Sequence, residues 1–438
     1  MRRPLSIVTA AAVALAAHAV RAEPLTVDQA IRAAWQRNPA LQASASQAEA
    51  ARADASRARD ARLPTLSLAG RGVRTDEPMM AFGLTLDQAR ITQADFDPAR
   101  LNHPAAVGAW GAGATLTLPV FMGGRLLAGQ RAAGAAAEAS AADHARRQAE
   151  MATAVVEAYF ASQAGEEGVR YASDLVAHAT ETERFVRERN AQGLALDADL
   201  ARASAFRAQA EAERAAALQR RASARSALAL LAGEEAATAE LSTPVDALPP
   251  AAPPGSHGDR PDLRAARLRR DAADAGVALA RGSLLPALFA QASADAMRTG
   301  DLSQGTSWTT VGVLLKWDLS LGDAAATRAA AARARAARSD LAWRERQAER
   351  EIAEGRRAVE TADARVRAAQ EAVAASESAR TLRDARHRQG LLPLTDVLDA
   401  EAGLAGARAL LLASRLEARV ARARLALALD EPIEGLLP

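Results

Sequence analysis

The hydrophobic and polar positions of this chain follow two periods, and the change from one to the other occurs twice. Over residues 39–62, small apolar and charged side chains recur with helical spacing, whereas the residues that follow alternate as in a strand. The same change occurs after residues 261–285. A Leu-Pro pair separates the two patterns at Pro64 and at Pro286, because the residue before a proline is disfavoured in the α region. The pattern therefore predicts two helix-to-strand junctions.

The two junctions belong to an internal repeat. Aligning Pro64 with Pro286 also aligns Pro39 with Pro261, and each of these last two prolines begins a helix, where its missing N–H costs nothing. The loop between the strands is about 23 residues longer in the first copy, and insertions of this kind lie in exposed loops. We therefore expect the strand-connecting loops of both copies at one outward-facing end.

Each copy is predicted to contain two strands, one very long helix and one returning helix. In the first copy a short helix over residues 26–36 comes first, the strands are residues 65–74 and 110–119, and the helices are residues 125–190 and 197–231. In the second copy the strands are residues 287–297 and 306–318, and the helices are residues 323–388 and 396–429. Each long helix would measure roughly 100 Å if it were continuous. On the first of them, Met151, Val155 and Tyr159 have the spacing of one packing seam.

These elements divide the chain into four predicted segments: a signal peptide at residues 1–22, a first repeat at residues 23–247, a Pro-rich linker at residues 248–259 and a second repeat at residues 260–438. Two arginines, an apolar run and a small-residue cleavage site are typical of a signal peptide. The apolar run is shorter than the ~20 residues of a membrane-spanning helix, which argues against a helical anchor. The chain has no cysteine, so we expect neither disulfides nor a lipid on an N-terminal cysteine.

Composition favours closely packed helices, because hydrophobic residues make up 49% of the chain and aromatic residues only 3%. The formal net charge is +2, including three arginines of the predicted signal peptide, so the mature chain is nearly balanced and gives no indication of nucleic-acid binding. The six histidines form no metal-ligand pair at i, i+4, and the Gly123-Gly124 pair lacks the Gly-Lys-Ser/Thr of a phosphate loop. We therefore predict that the protein is not an enzyme and uses no cofactor.

The predicted strands have the length of strands that cross an outer membrane at a tilt, about ten residues. Four strands cannot close a barrel, and an open sheet edge in lipid is very unfavourable, so several chains would share one barrel and three would supply twelve strands. Trp110, Trp308 and Trp317 lie near strand ends, where interfacial aromatic residues belong. The alternative is a soluble β-hairpin that caps a helical bundle.

The predicted fold class is therefore mainly α with a β-barrel portion. Long antiparallel helices would form a trimeric α-barrel, continued by a shared 12-stranded transmembrane β-barrel to which each chain contributes four strands. Two functions fit such a chain: a passive transport duct, and a periplasmic coiled-coil adaptor or scaffold of an export system. The four strands favour the duct, because an adaptor needs no alternating segments of membrane-crossing length.

Several motifs, in fixed order and partly duplicated, carry a resemblance to a known family. They are LTVDQAIRAAWQRNPAL at residues 25–41, the two Leu-Pro junctions, LPVFMGGR at residues 118–125, RPDL at residues 260–263 and QGLLPLTDVLDAE at residues 389–401. In these the chain resembles the outer membrane efflux protein family, the TolC-like exit ducts of Gram-negative bacteria. The resemblance implies a homotrimer in the outer-membrane lipid, with a large periplasmic helical tunnel that is closed at its inner tip.

The resemblance also implies partners. It implies docking to a periplasmic adaptor (membrane fusion) protein and to an inner-membrane pump, either proton-driven or of the ABC type, as in tripartite efflux and type I secretion. Such a duct carries small molecules or polypeptides to the cell exterior.

Site residues near the inner tip follow from the same resemblance. Asp396 and Asp399 match aspartates that form an acidic gate at the narrowest point of the tunnel, although on sequence alone they could equally favour the N-terminal turn of their helix. The tip turns, where the adaptor docks, match a set of four residues: Gly193, Gly390, Leu391 and Leu392.

The chain departs from some relatives at two positions of this tip. Those relatives carry an arginine and a tyrosine that tether the closed tip, whereas the matching positions here are Leu392 and His387. Arg386, Arg388 and His387 are the candidate substitutes, and the sequence leaves open how the tip is held shut.

Overall fold

The computed structural model describes residues 24–243 and 259–431. The predicted signal peptide lies outside the described residues, and so does the predicted linker except for Asp259. The boundaries of these two segments therefore stay predictions.

The described elements follow the predicted repeat. The first half contains α1 (Val27–Arg37), α2 (Pro39–Asp60), β1 (Thr65–Thr75), α3 (Pro78–Asp87), α4 (Pro98–Asn102), β2 (Val107–Met122), α5 (Arg125–Ala191) and α6 (Asp197–Ala232). The second half contains α7 (Pro261–Gly282), β3 (Ala287–Thr299), β4 (Gly305–Lys316), α8 (Leu321–Arg388) and α9 (Leu394–Leu429). The series α7, β3, β4, α8 and α9 thus repeats the series α2, β1, β2, α5 and α6.

Helix starts and stops have local causes. Thr26 and Gln29 form a reciprocal capping box at the start of α1. Asn38 caps α2 by accepting a hydrogen bond from the N–H of Ala40 at 3.0 Å, and a proline occupies the first helical position. Pro64 and Pro286 lie where predicted, each immediately before a strand. The repeated junction is therefore a property of local sequence.

The four strands form one antiparallel sheet in the order β1-β2-β3-β4. The hairpins of the two repeats are joined through the β2–β3 pair, whose register shifts between Pro119 and Phe121. A proline cannot donate to the ladder, so an irregularity at this point is expected. Beyond it β2 continues to Met122, past the predicted end of the strand. The sheet lies at one end of the long helices.

The long helices pack as two antiparallel hairpins, α5 with α6 and α8 with α9, and α5 also contacts α9. Between the first hairpin and α1 lies the largest core cluster, which contains the fully buried Tyr159 and Phe160. The hydroxyl of Tyr159 donates to the carbonyl of Leu25 at 2.6 Å. Val155 is fully buried beside it and Met151 packs against the cluster, so the predicted seam on α5 is confirmed.

The long first loop contains more structure than its turn-rich composition indicated. It holds α3, a 3-10 turn at Gln93–Phe96 and α4. Pro78 and Pro98 occupy the first turns of the two α-helices, where proline is favoured. Turn composition alone therefore obscured two short helices whose entry signals were present.

Candidate functional site

Two tight turns close the hairpins at the end opposite the sheet. Gly193 and Gly390 have φ of 74° and 77°, a left-handed conformation that glycine adopts without a Cβ penalty. Each glycine N–H donates to the carbonyl three residues earlier, at 2.9 Å to Asn190 and 2.8 Å to His387. The next N–H donates to the carbonyl five residues before it, as in a Schellman motif. We call these turns the tips.

A side chain crosses each tip in the same way. In the first, Nδ2 of Asn190 donates to the carbonyl of Ala195 at 3.0 Å. In the second, Nδ1 of His387 donates to the carbonyl of Leu392 at 2.8 Å. The two donors match when Gly193 is aligned with Gly390. The two positions that depart from some relatives are therefore bonded to one another, and His387 fastens the second tip within its own chain.

The predicted acidic residues lie just beyond the second tip. Asp396 is half-buried in the first turn of α9, and its backbone carbonyl accepts from Nη1 of Arg383 at 3.4 Å. Asp399 is exposed one turn further along. No side chain among the described residues pairs with either carboxylate. Both groups are therefore available to a neighbouring chain or to solute.

Sequence reasoning missed a third aspartate. Asp199 matches Asp396 when the tips are aligned, and it is likewise half-buried. In both residues the backbone N–H donates to the carbonyl three residues earlier, that of Leu196 and of Pro393. The neighbouring Asp197 differs, because its carboxylate accepts from Nδ2 of Asn190 at 2.9 Å. The internal repeat was the signal that could have identified Asp199.

Exposed leucines surround both tips. Leu194, Leu196 and Leu391 have relative exposures of 63%, 69% and 67%, whereas Leu392 is half-buried. Covering an apolar side chain that is largely exposed to water is favourable, so these leucines are suited to contact with a partner.

A buried carboxylate links α5 to α6 near the first tip. Glu183 is 5% exposed and accepts from Oγ of Ser204 and from Nε of Arg207, both at 2.7 Å, and from Nη2 of Arg187 at 2.6 Å. The Ser204 hydroxyl, followed by Arg207, holds the pKa of Glu183 below its ordinary value of 4.5, although burial opposes this. This cluster fastens the lower part of the first hairpin.

The matching positions of the second hairpin carry different chemistry. Arg380 and Glu401 align with Glu183 and Ser204, and Nε of Arg380 donates to the buried Glu401 at 2.6 Å. Nη2 of the same arginine lies 3.1 Å from Nδ1 of His178 on α5. Because a guanidinium only donates, this nitrogen of His178 is the acceptor. Arg380 therefore joins the two hairpins.

The sheet has one apolar and one polar face. Side chains alternate along a strand, and the observed pairing brings eight apolar side chains, drawn from all four strands, to the same side. The apolar face carries Leu66, Leu68, Leu116, Leu118, Ala292, Val311, Val313 and Leu315. The polar face carries Thr65, Ser67, Thr115, Thr117, Ser293, Asp295 and Thr310. The large side chains of the apolar face are exposed in the single chain, Val311 to 82%.

The three tryptophans near the strand ends differ in position. Trp110 lies on the apolar side, near the end of the sheet away from the long helices. Trp317 directly follows β4 at the opposite end, where its Nε1 donates to the carbonyl of Leu284 at 3.2 Å. The indole of Trp110 covers Gly72, where a Cβ would lie 2.7 Å from the ring. Trp308 lies on the polar face and packs with Met297, and its assignment as an interfacial aromatic residue stays a prediction. The alternation that places Val311 on the apolar face also places Trp308 on the other.

Two further observations concern the described residues as a whole. None of their helices has an apolar stretch long enough to cross a membrane. None of their His, Asp and Glu residues come together in a group that could hold a metal ion.

Two long helical hairpins that continue into an amphipathic four-stranded sheet define a class of protein, the subunits of TolC-like channels. The chain belongs to the outer membrane efflux protein family, whose family model matches residues 30–234 and 256–431.

Solved structures share the fold at low sequence identity. A membrane protein from Pseudomonas aeruginosa superposes with a TM-score of 0.80 at 22% identity, covering 92% of this chain and 93% of that one. The outer membrane protein VceC from Vibrio cholerae gives 0.78 at 22% identity, with 92% and 96% covered. The CmeC outer membrane channel of Campylobacter jejuni gives 0.80 at 17% identity, with 92% and 85% covered. A search of curated protein sequences gives no significant match.

Proposed function

We propose that the protein is an outer-membrane exit duct, a passive channel that carries small molecules or polypeptides from a periplasmic adaptor and an inner-membrane pump to the cell exterior. The observation that carries the proposal is the two-faced sheet continuous with paired long helices. Its exposed leucines and valines on one side suit lipid, and its threonines, serines and Asp295 on the other suit water.

The duct requires several copies of the chain. In the described residues β1 and β4 each pair on one side only, so both present a row of unpaired backbone groups. Such groups must find partners in hydrocarbon, and β4 of one copy meeting β1 of the next supplies them. Three copies would give twelve strands and a homotrimer. Trp110 and Trp317 would then lie at the two membrane interfaces.

Assembly and conduction test this proposal together. The mature protein should fractionate with outer membranes, migrate as an oligomer that heating dissociates, and conduct ions across a planar bilayer. Release by osmotic shock, with no conduction by the purified protein, would favour the adaptor or scaffold function instead.

At the inner tip, Asp396 and Asp399 would form the acidic gate. A trimer brings six of these unpaired carboxylates together, and Asp199 adds three more from the matching tip. A ring of carboxylates raises the local concentration of cations and resists anions.

Single-channel recording tests the gate. We expect Asp396→Ala combined with Asp399→Ala to reduce cation over anion selectivity and to change conductance. The control is Glu235→Ala, because Glu235 is exposed and lies beyond the far end of α6, about 50 Å from the tip. Unchanged selectivity in the double variant would mean that these aspartates serve only their helix N-terminus.

The exposed leucines of the tips would be the adaptor-docking surface. A cysteine replacing Leu391 should cross-link to a periplasmic protein in cells. A cysteine replacing Leu230, which is 79% exposed but lies at the other end of α6, should not. Identical cross-linked products from both sites would mean that the tip is not the docking surface. The captured complex would also identify the pump.

A further inference from the structure

The long first loop folds onto one particular side of the sheet. Leu84 of α3 is 7% exposed and packs in a cluster with Ala109 and Met297, which are themselves buried at 2% and 0% exposure. Three half-buried neighbours complete the cluster: Val73, Val107 and Trp308. We call residues 76–106 the loop cap.

The strand pairing shows which face the loop cap covers. Met297 is two residues from Asp295, so the two side chains share a face. Met297 also pairs with Gly111, whose face includes Thr115 four residues along. The cap therefore packs on the polar face, at the end of the sheet farthest from the helices.

Polar contacts hold the cap in this place. Gln88 is 1% exposed, its Nε2 donates to the carbonyl of Gly108 at 2.9 Å, and its Oε1 accepts from Nη1 of Arg90 at 3.3 Å. A buried amide with both ends bonded fixes the end of α3 against the start of β2.

The rest of the cap has its own structure. The rings of Phe82 and Phe96 meet edge to face at 5.8 Å, which fastens the 3-10 turn to α3. The Asp95 carboxylate accepts from the hydroxyl and the N–H of Thr92, both at 2.7 Å, and these bonds lower the pKa of Asp95. Asp97 caps α4. The loop cap therefore has a defined internal structure.

We propose that the loop cap narrows the outer mouth of the duct from inside and limits the size of solutes that pass there. This rests on the proposed function, in which the polar face lines the lumen. Each copy would place one helix, about 10 Å across, against the inner wall. The second repeat has only the short β3–β4 turn at residues 300–304, so capped and uncapped hairpins would alternate around the mouth.

Cysteine labelling tests the cap without involving the gate at the other end. The chain has no cysteine, so a single introduced thiol reports its own surroundings. Thr310→Cys lies on the polar face, two residues inward of the capped Trp308, and Val311→Cys lies next to it on the apolar face. Intact cells carrying either variant are treated with a small membrane-impermeant maleimide or with a maleimide on a bulky polyethylene glycol.

With the cap present, the Thr310→Cys thiol should react with the small reagent and resist the bulky one. Replacing the loop cap by the short turn sequence of residues 300–304 should raise the rate of bulky labelling at least tenfold. Equal labelling by the bulky reagent with and without the cap would overturn the proposal that the cap limits solute size, and would leave the proposal of a duct unaffected. Reaction of the Val311→Cys thiol in place of the Thr310→Cys thiol would instead overturn the duct, because the polar face would not then be the lumen.

A matched pair of point variants keeps the loop at full length. Leu84→Asp should loosen the cap and admit the bulky reagent, because Leu84 packs against the sheet. Met79→Asp, on the same helix but 77% exposed, should leave labelling unchanged. If the shortened chain does not form the heat-dissociable oligomer, this pair decides: equal labelling of both variants overturns the cap.

Discussion

The tips show how two different residues perform one task at matching positions. Asn190 and His387 each reach over a left-handed glycine and donate to the carbonyl five residues on. An orphan carbonyl at a helix hairpin gains a partner in both cases. For His387 the donor is Nδ1, which carries hydrogen in the neutral tautomer required here and also in the charged ring.

We therefore expect His387→Asn to preserve the second tip and His387→Ala to weaken it by about 1 kcal/mol. Amide hydrogen exchange at residues 389–392 measures the local opening. Equal protection in the alanine variant would contradict this role.

At the scale of the helix, each hairpin is stabilised by a polar cluster at matching positions of the repeat. The matching residues carry opposite charges, a glutamate on α5 and an arginine on α8. Glu183 of α5 collects donors from α6, whereas Arg380 of α8 donates to Glu401 of α9 and also reaches His178 of α5. The repeat thus preserved the position of the contact and changed its chemistry. Only the second cluster connects the two hairpins.

Glu183→Gln should destabilise the α5–α6 hairpin by about 1–3 kcal/mol, because a hydrogen-bonded buried charge is lost. The folded pKa of Glu183 is lowered, so its contribution is fully present above its ordinary value of 4.5 and is lost as the pH falls through the lowered folded value. The thermal midpoint of the wild type should fall more steeply than that of the variant below pH 4.5. Parallel pH profiles would contradict the assignment.

The loop cap marks the limit of element prediction from this sequence. The spacing of apolar residues found every long helix and all four strands, because those patterns are local. It missed α3 and α4, which are both short: α3 is held by Leu84, which packs against strands that include the distant residue Met297, and α4 contacts α3. Short helices stabilised by such contacts leave little periodic signal.

On the scale of the whole molecule, the sheet decides how the chain meets lipid. A lipid-facing arginine near the bilayer midplane costs about 2–4 kcal/mol, whereas one facing the lumen is tolerated. Val313 and Thr310 lie on opposite faces of β4, three residues apart. Both side chains are exposed in the isolated chain, and arginine substitution distinguishes a lipid-facing position from a lumen-facing one.

Val313→Arg should reduce the yield of folded oligomer and lower the temperature at which it dissociates on a gel. Thr310→Arg should leave both nearly unchanged and alter ion selectivity instead. The opposite ranking, with Thr310→Arg the more damaging, would reverse the assignment of the two faces.

The sequence by itself determined the repeat, because its two copies can be aligned directly. It also determined the order of the long elements, the junctions at Pro64 and Pro286 and the alternation of the strands, because these follow from residues close together along the chain. The alternation also determined that Trp308 and Val311, three residues apart on β4, lie on opposite faces of the sheet. Tertiary structure decided that His387 bonds Leu392, that Arg380 joins two hairpins and that the loop cap lies on the polar face. Those outcomes depend on groups brought together by folding, whose distances no local period encodes.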